Sequence, residues 1–168
     1  WNDISLSYAL LKRARKCGVR TLVVTADTPV PLNREYNQRN GFTVPFRYSR
    51  TGMLDIAGHP QWAARVLMPM LLKRRLPRYG HYPTNINSSV MKASAVPVGL
   101  KRSLDWDDIR ALRRQWDGDL ILKGIMNIKD ARRAADLGAD GIVVSVHGGR
   151  NLDTQPVPLD MLPRIADT

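Results

Sequence analysis

Apolar residues recur along this chain with two different periods. Over residues 3–17, Ile4, Tyr8, Leu11 and Ala14 or Arg15 follow three-and-four spacing, which predicts an amphipathic helix. Asn2 or Asp3 can cap its start, Gly18 suits its end, and its last turn is basic, as the helix dipole prefers. Residues 20–26, RTLVVTA, read as a short apolar strand. Regularity is then lost. Residues 28–104 are rich in Pro and Gly, with asparagines clustered at 85–87, and only the run 62–76 reads as a longer element. From residue 105 the pattern returns: helix at 105–116, strand at 119–123, helix at 128–137 closed by Gly138, and strand at 141–146. A final helix is expected at 158–166, with Pro158 in its first turn.

This order alternates helices with strands around one long insertion. Alternation of that kind predicts an α/β fold with a parallel sheet and crossover helices. The two later strands are continuous apolar runs, as strands buried on both faces should be. Three strands cannot close a barrel, but they fit part of an eight-stranded barrel of about 250 residues. The chain opens at Trp1 directly before a helix and stops close to another, so a fragment cut at both ends is expected.

Each strand finishes in polar residues: Thr25 and Asp27, then Lys123 before Gly124, then Ser145 and His147 with Arg150 just beyond. In parallel α/β architectures the carboxyl ends of the strands face the active site, so Asp27, Lys123, His147 and Arg150 are expected on one face. Gly148 and Gly149 allow a sharp turn or a close approach to a ligand. His147 suits a base near neutral pH, and Asp27 could orient it. Arg150 could bind a carboxylate through two hydrogen bonds, and Lys123 could stabilise negative charge. Taken singly, each has a structural reading: a turn histidine, a solvated strand end, a cap before Thr28-Pro29, a surface arginine. Together they suggest removal of a proton or hydride from a carbon beside a carboxylate, with a redox cofactor as the electron sink.

Composition adds three constraints. The single cysteine, Cys17, excludes an internal disulfide and makes a reducing, cytoplasmic setting the default. Net charge is +11, and no acidic residue occurs between Asp55 and Asp105. That interval carries Arg65, Lys73, Arg74, Arg75, Arg78, Lys92, Lys101 and Arg102, which favours an anionic partner. His59 and His81 lie in or beside this interval without acids or cysteines to complete a metal site, so no metal is expected.

Three motifs carry a resemblance: VVTADTPVPLNRE at 23–35, LILKGI at 120–125 and GADGIVVSVHGGRNLD at 138–153, with RNGF at 39–42 and HPQW at 59–62 in support. The chain resembles the flavin mononucleotide (FMN)-dependent 2-hydroxy acid dehydrogenases and oxidases over essentially its whole length. The resemblance implies a partial (β/α)8 TIM barrel, roughly strands 4 to 6, in which residues 1–168 form the central part and 43–104 a variable excursion after strand 4. It implies His147 as the catalytic base with Asp27 paired to it. It also implies Arg150 and Arg34 on the substrate carboxylate, and Lys123 and Thr25 on the FMN cofactor. The expected reaction of the full-length parent is oxidation of an L-2-hydroxy acid to the 2-oxo acid, L-lactate to pyruvate first and mandelate or a larger acid as the alternative. The fragment alone is expected to be inactive. Two positions depart from the family pattern: Val146 stands where Asn usually precedes the histidine, and Asn151 stands where Gln is commoner.

In membrane-bound members of the family the excursion carries the membrane-binding segment. Residues 62–78 set Trp62, Leu67, Met68, Met70, Leu71 and Leu72 beside Arg65, Lys73, Arg74, Arg75 and Arg78. The apolar run is too short to span a bilayer, and Pro69 is expected to interrupt a helix, so an interfacial contact is expected. The implied location is peripheral, on the cytoplasmic face of the inner or plasma membrane, with a quinone as electron acceptor and a homo-oligomeric assembly. The competing non-enzyme reading is a basic nucleic-acid-binding module. It rests on charge alone and lacks a recognisable motif, so no nucleic-acid partner is expected.

Overall fold

The first helix, α1 (Ile4–Lys16), starts where the Asp3 carboxylate accepts the Ser5 backbone N–H at 2.9 Å, and its last turn is basic. The structure is a computed structural model, and it describes residues 1–29, 35–41, 49–73, 80–81, 101–152 and 154–167. The chain divides into two compact units, one formed by Trp1–Asn33 with Leu100–Thr168 and the other by Arg34–Gly99.

In the first unit α1 leads into β1 (Thr21–Thr25), and the chain returns through α6 (Trp106–Gln115), β2 (Asp119–Lys123), α7 (Ile128–Asp136), β3 (Gly141–Val143) and α8 (Pro158–Ala166). The Asp105 and Asp108 side chains form a reciprocal capping box at the start of α6, and Asn127 caps α7. The three strands form a parallel sheet in the order β1-β2-β3. The third strand is shorter than its apolar run. Its ladder stops at Val143, whose carbonyl accepts the Gly124 N–H at 3.0 Å as β2 turns away.

Register explains the two faces of the sheet. Leu22 pairs with Leu120, and Val24 with Leu122 and then Ile142; these face the helices. Leu120 and Leu122 are fully buried with Trp116, and Leu11, Ile109, Ile125 and Ala134 complete that core. The other face carries Val23, Ile121 and Gly141 in one row and Thr25, Lys123 and Val143 in the next. It is open: Val23 is 52% and Val143 39% exposed. The expected burial of the strands on both faces is therefore met on one face only, because the described helices that pack on this sheet cover only that side.

Loops at the amino ends of the strands are stapled by charge. Arg113 donates to the Asp140 carboxylate at 2.9 Å and to the Gly118 carbonyl at 2.6 Å. The Leu120 N–H bonds Asp140 at 2.8 Å, and that bond, with Arg113 beside it, outweighs partial burial and holds the Asp140 carboxyl below its ordinary range. Burial pushes the Asp108 carboxyl up, but its bonds from Lys101 and from the Asp105 N–H prevail, and the net shift is downward.

The second unit holds α2 (Glu35–Arg39), α3 (Arg50–Gly58), α4 (Pro60–Trp62), a π-helical turn (Ala63–Leu67) and α5 (Met68–Leu72). The helix at 50–58, capped by Ser49 on the Gly52 N–H, is a regular element in a stretch where the pattern predicts none. Pro69 does not interrupt the helix: the backbone stays helical from Pro60 to Leu72. A π turn ends at Leu67, two residues before the proline, and its wider i→i+5 register accommodates a residue that lacks an N–H. Among the described residues no helix is long and apolar enough to cross a membrane.

Candidate active site

The carboxyl edge of the sheet brings three of the expected residues into contact. The ladder runs one residue past β1, where the Ala26 N–H bonds the Lys123 carbonyl at 2.8 Å, and Asp27 follows at once. Lys123 ends β2 in register with Thr25. His147 lies beyond β3, at the start of a short turn (His147–Gly149).

His147 Nδ1 lies 2.6 Å from Asp27 Oδ2, and the Asp27 side chain is only 10% exposed. A carboxylate is an acceptor, so this contact sets the tautomer: Nδ1–H donates, and Nε2 is left for chemistry. Lys123 Nζ stands 3.2 Å from Nδ1 and 3.3 Å from Nε2. Two nearly equal distances place the ammonium to the side of the ring and not along the lone pair of Nε2. An imidazole, a carboxylate and an ammonium thus meet at the ends of three adjacent strands, an arrangement that can support general base chemistry beside developing negative charge.

Backbone conformation explains the glycines. His147, Gly148 and Gly149 take φ values of 54°, 65° and 73°, three consecutive residues in the left-handed region. A non-glycine residue there costs on the order of 1 kcal/mol, so neighbouring contacts must hold His147 in place. Its own N–H bonds the Ser145 hydroxyl at 3.2 Å, and the Gly149 N–H bonds the Val146 carbonyl at 3.0 Å. Val146 is buried, so the apolar residue before the histidine packs inward.

Two contributors are assigned no role by the sequence reading. Gly124, at φ 103°, is pressed against Asp27; a Cβ there would lie 2.5 Å from both Asp27 Cβ and Cγ. Asn151 donates its side-chain N–H to the Asp27 backbone carbonyl. The signal for Gly124 was its place directly after a strand-end lysine. For Asn151 there was only its departure from the commoner Gln. Asp27 Oδ1 and Asn151 Oδ1 are buried without a hydrogen-bond partner among the described residues, so both retain acceptor capacity beside the histidine.

The remaining expected residues are placed less closely. Thr25 sits exposed on the open face beside Lys123. Arg150 follows the turn with an exposed side chain. Arg34 lies outside the described residues, as does the portion of the basic segment at 74–78.

Comparison with known proteins identifies the family. The family model for FMN-dependent dehydrogenases matches residues 1–168. L-lactate dehydrogenase of Chromohalobacter salexigens is 39% identical over 161 residues, 94% of this chain and 40% of that protein. L-lactate dehydrogenase of Pseudomonas aeruginosa is 39% identical over 160 residues, 94% of this chain and 41% of that protein. The crystal structure of the monotopic membrane protein (S)-mandelate dehydrogenase superposes with a TM-score of 0.82 at 31% identity, over 99% of this chain and 43% of that one. This chain therefore spans about two fifths of the length of these relatives. Its parallel sheet and helices are similar to that portion of FMN-dependent TIM-barrel enzymes.

Proposed function

The chain belongs to the FMN-dependent dehydrogenase family, and from that premise we propose that the full-length protein oxidises an L-2-hydroxy acid to its 2-oxo acid, with L-lactate to pyruvate as the first reading. The observation that carries the proposal is the His147–Asp27 contact of 2.6 Å with Lys123 beside it at the strand ends. The relatives named L-lactate dehydrogenase support lactate. The likeness to (S)-mandelate dehydrogenase supports mandelate as the second reading.

The open sheet face fits FMN by its donor set. Lys123 and Thr25 stand side by side in register at its carboxyl edge, a cation and a hydroxyl. Val23 and Ile121 form an apolar row one step below them. That combination suits a planar ring with an electron-rich polar edge. FMN, when bound, accepts the two electrons that oxidation of the hydroxy acid releases. The chain's own residues do the rest. Arg150 and Arg34 hold the substrate carboxylate, which presents the α-carbon and its hydroxyl to the histidine. His147 takes a proton from the substrate at Nε2, while Asp27 keeps Nδ1 protonated and the ring oriented. Lys123 stabilises the negative charge that accumulates on the cofactor side of the site.

Residues 62–78, within the variable excursion at 43–104, form the peripheral membrane contact of this reading. Trp62, Met68, Leu71 and Leu72 are all about half or more exposed, with Arg65 and Lys73 among them, which suits acyl chains and anionic headgroups. The monotopic membrane relative supports it. A quinone acceptor, a homo-oligomer and a position on the cytoplasmic face of the inner or plasma membrane complete the proposal.

The test is an anaerobic visible spectrum of the full-length protein, purified in detergent with FMN. L-lactate is expected to bleach the flavin band. Bleaching by L-mandelate alone would select the second reading, and bleaching by neither would overturn the substrate class.

A further inference from the structure

The turn that carries His147 is tied at both ends to one residue. At its start the imidazole Nδ1–H donates to the Asp27 carboxylate at 2.6 Å. At its end the Asn151 amide donates to the Asp27 backbone carbonyl. The amide can sit only one way round. With Oδ1 in place of Nδ2, two oxygens would face each other without a proton between them. Between the two ties lie His147, Gly148 and Gly149, all with positive φ, and Arg150. A run in the left-handed region holds its shape only where its surroundings over-determine it. Asp27 can serve as an anchor because Gly124 packs directly against its Cβ.

We propose that Asn151 is a positioning residue for the reaction, holding the far end of the turn on the Asp27 carbonyl so that His147, Asp27 and Arg150 keep a single arrangement. This rests on the reading of His147 and Asp27 as the catalytic pair. It also gives meaning to a short side chain at this position. Glutamine would place its amide one methylene further out, about 1.5 Å of extra reach. Loss of the tie acts twice. The imidazole and carboxylate lose their fixed alignment, which lowers kcat. Arg150 loses its fixed distance from the base, which raises KM for the hydroxy acid.

The test uses the full-length enzyme loaded with FMN and the variants Asn151→Ala, Asn151→Asp and Asn151→Gln, with His147→Gln in parallel. Asn151→Ala is expected to lower kcat/KM for the hydroxy acid by up to roughly 100-fold, the cost that a misplacement of about 1 Å at the reacting groups can carry. Asn151→Asp, equal in size but an acceptor only, should lose at least as much, and it carries the test if the alanine variant folds poorly. Asn151→Gln, which keeps the donor, should recover part of the loss. The readout independent of turnover is the low-field proton NMR signal of the His147 Nδ1–H. It should broaden or move in the Ala and Asp variants and persist in Gln. A kcat/KM within twofold of wild type in both Ala and Asp, with that signal unchanged, would overturn the inference. If His147→Gln also keeps full turnover, the catalytic reading has failed; if it is inactive while the Asn151 variants are normal, only the role of Asn151 has failed.

Discussion

The two units of this chain use apolar residues in opposite ways. In the first, Trp116, Leu120 and Leu122 are fully buried between sheet and helices. In the second, none of the helices from Arg50 to Leu72 has a fully buried residue, and Leu54 and Leu72 stand 73% and 77% exposed. The first unit uses its apolar surface to hold three strand ends in register, and the candidate chemistry lies on those ends. The second leaves its apolar surface outward, beside cations. Apolar composition alone does not distinguish the two uses. What distinguishes them is whether the period of the pattern lets one face close on a neighbour.

That contrast can be broken most sharply at the site. His147→Ala should lower kcat for the hydroxy acid roughly 100- to 10,000-fold, the usual worth of a general base, with little change in the unfolding midpoint. Steady-state kinetics on the full-length enzyme checks this, and a variant that keeps its turnover would remove the catalytic role from the first unit. Next comes stability. Leu120→Ala should cost about 2–5 kcal/mol, as fully buried leucines do, whereas Leu54→Ala should stay within about 0.5 kcal/mol. Urea unfolding of both variants measures the difference, and equal losses would mean that the second unit has a core of its own.

A charge on the outward surface should act on the membrane and not on the fold. Leu71→Asp with Leu72→Asp should weaken binding to anionic vesicles roughly tenfold or more, given about 1.5–3 kcal/mol for each buried leucine. Co-sedimentation reads the effect, and unchanged binding would sink the membrane contact. The smallest effect is expected at the strand-start staple. Asp140 has a carboxyl held below its ordinary value in the folded state, so it stabilises above the unfolded pKa of about 4 and loses that contribution as pH falls through the folded value. Asp140→Asn should therefore lower Tm at neutral pH, and the gap to wild type should narrow below about pH 4. A gap independent of pH would assign the effect to packing.

Much of the first unit was readable in advance because its signals are local. Three-and-four spacing marked α1, a closing glycine marked the end of α7, and continuous apolar runs marked the strands. The convergence of Asp27, Lys123 and His147 followed from one topological rule about parallel strands. The 50–58 helix was hidden because, among the described residues, none of its side chains is buried in a way that would impose a period. The effect of Pro69 was misjudged because a π turn is invisible in composition.

The sequence alone determined the element order of the first unit, the family pattern and the residue types at the strand ends, since these depend on short-range periodicity and on motif identity. Only the tertiary structure decided how the site is braced. Gly124 meets Asp27, and Asn151 reaches its carbonyl, across 97 and 124 positions of chain. Contacts at that separation leave no periodic trace, because they arise when strand register places distant backbones side by side. The same is true of the open sheet face: Val143 lies in a strand read as buried on both faces, and only the placement of helices on one side showed which face it occupies.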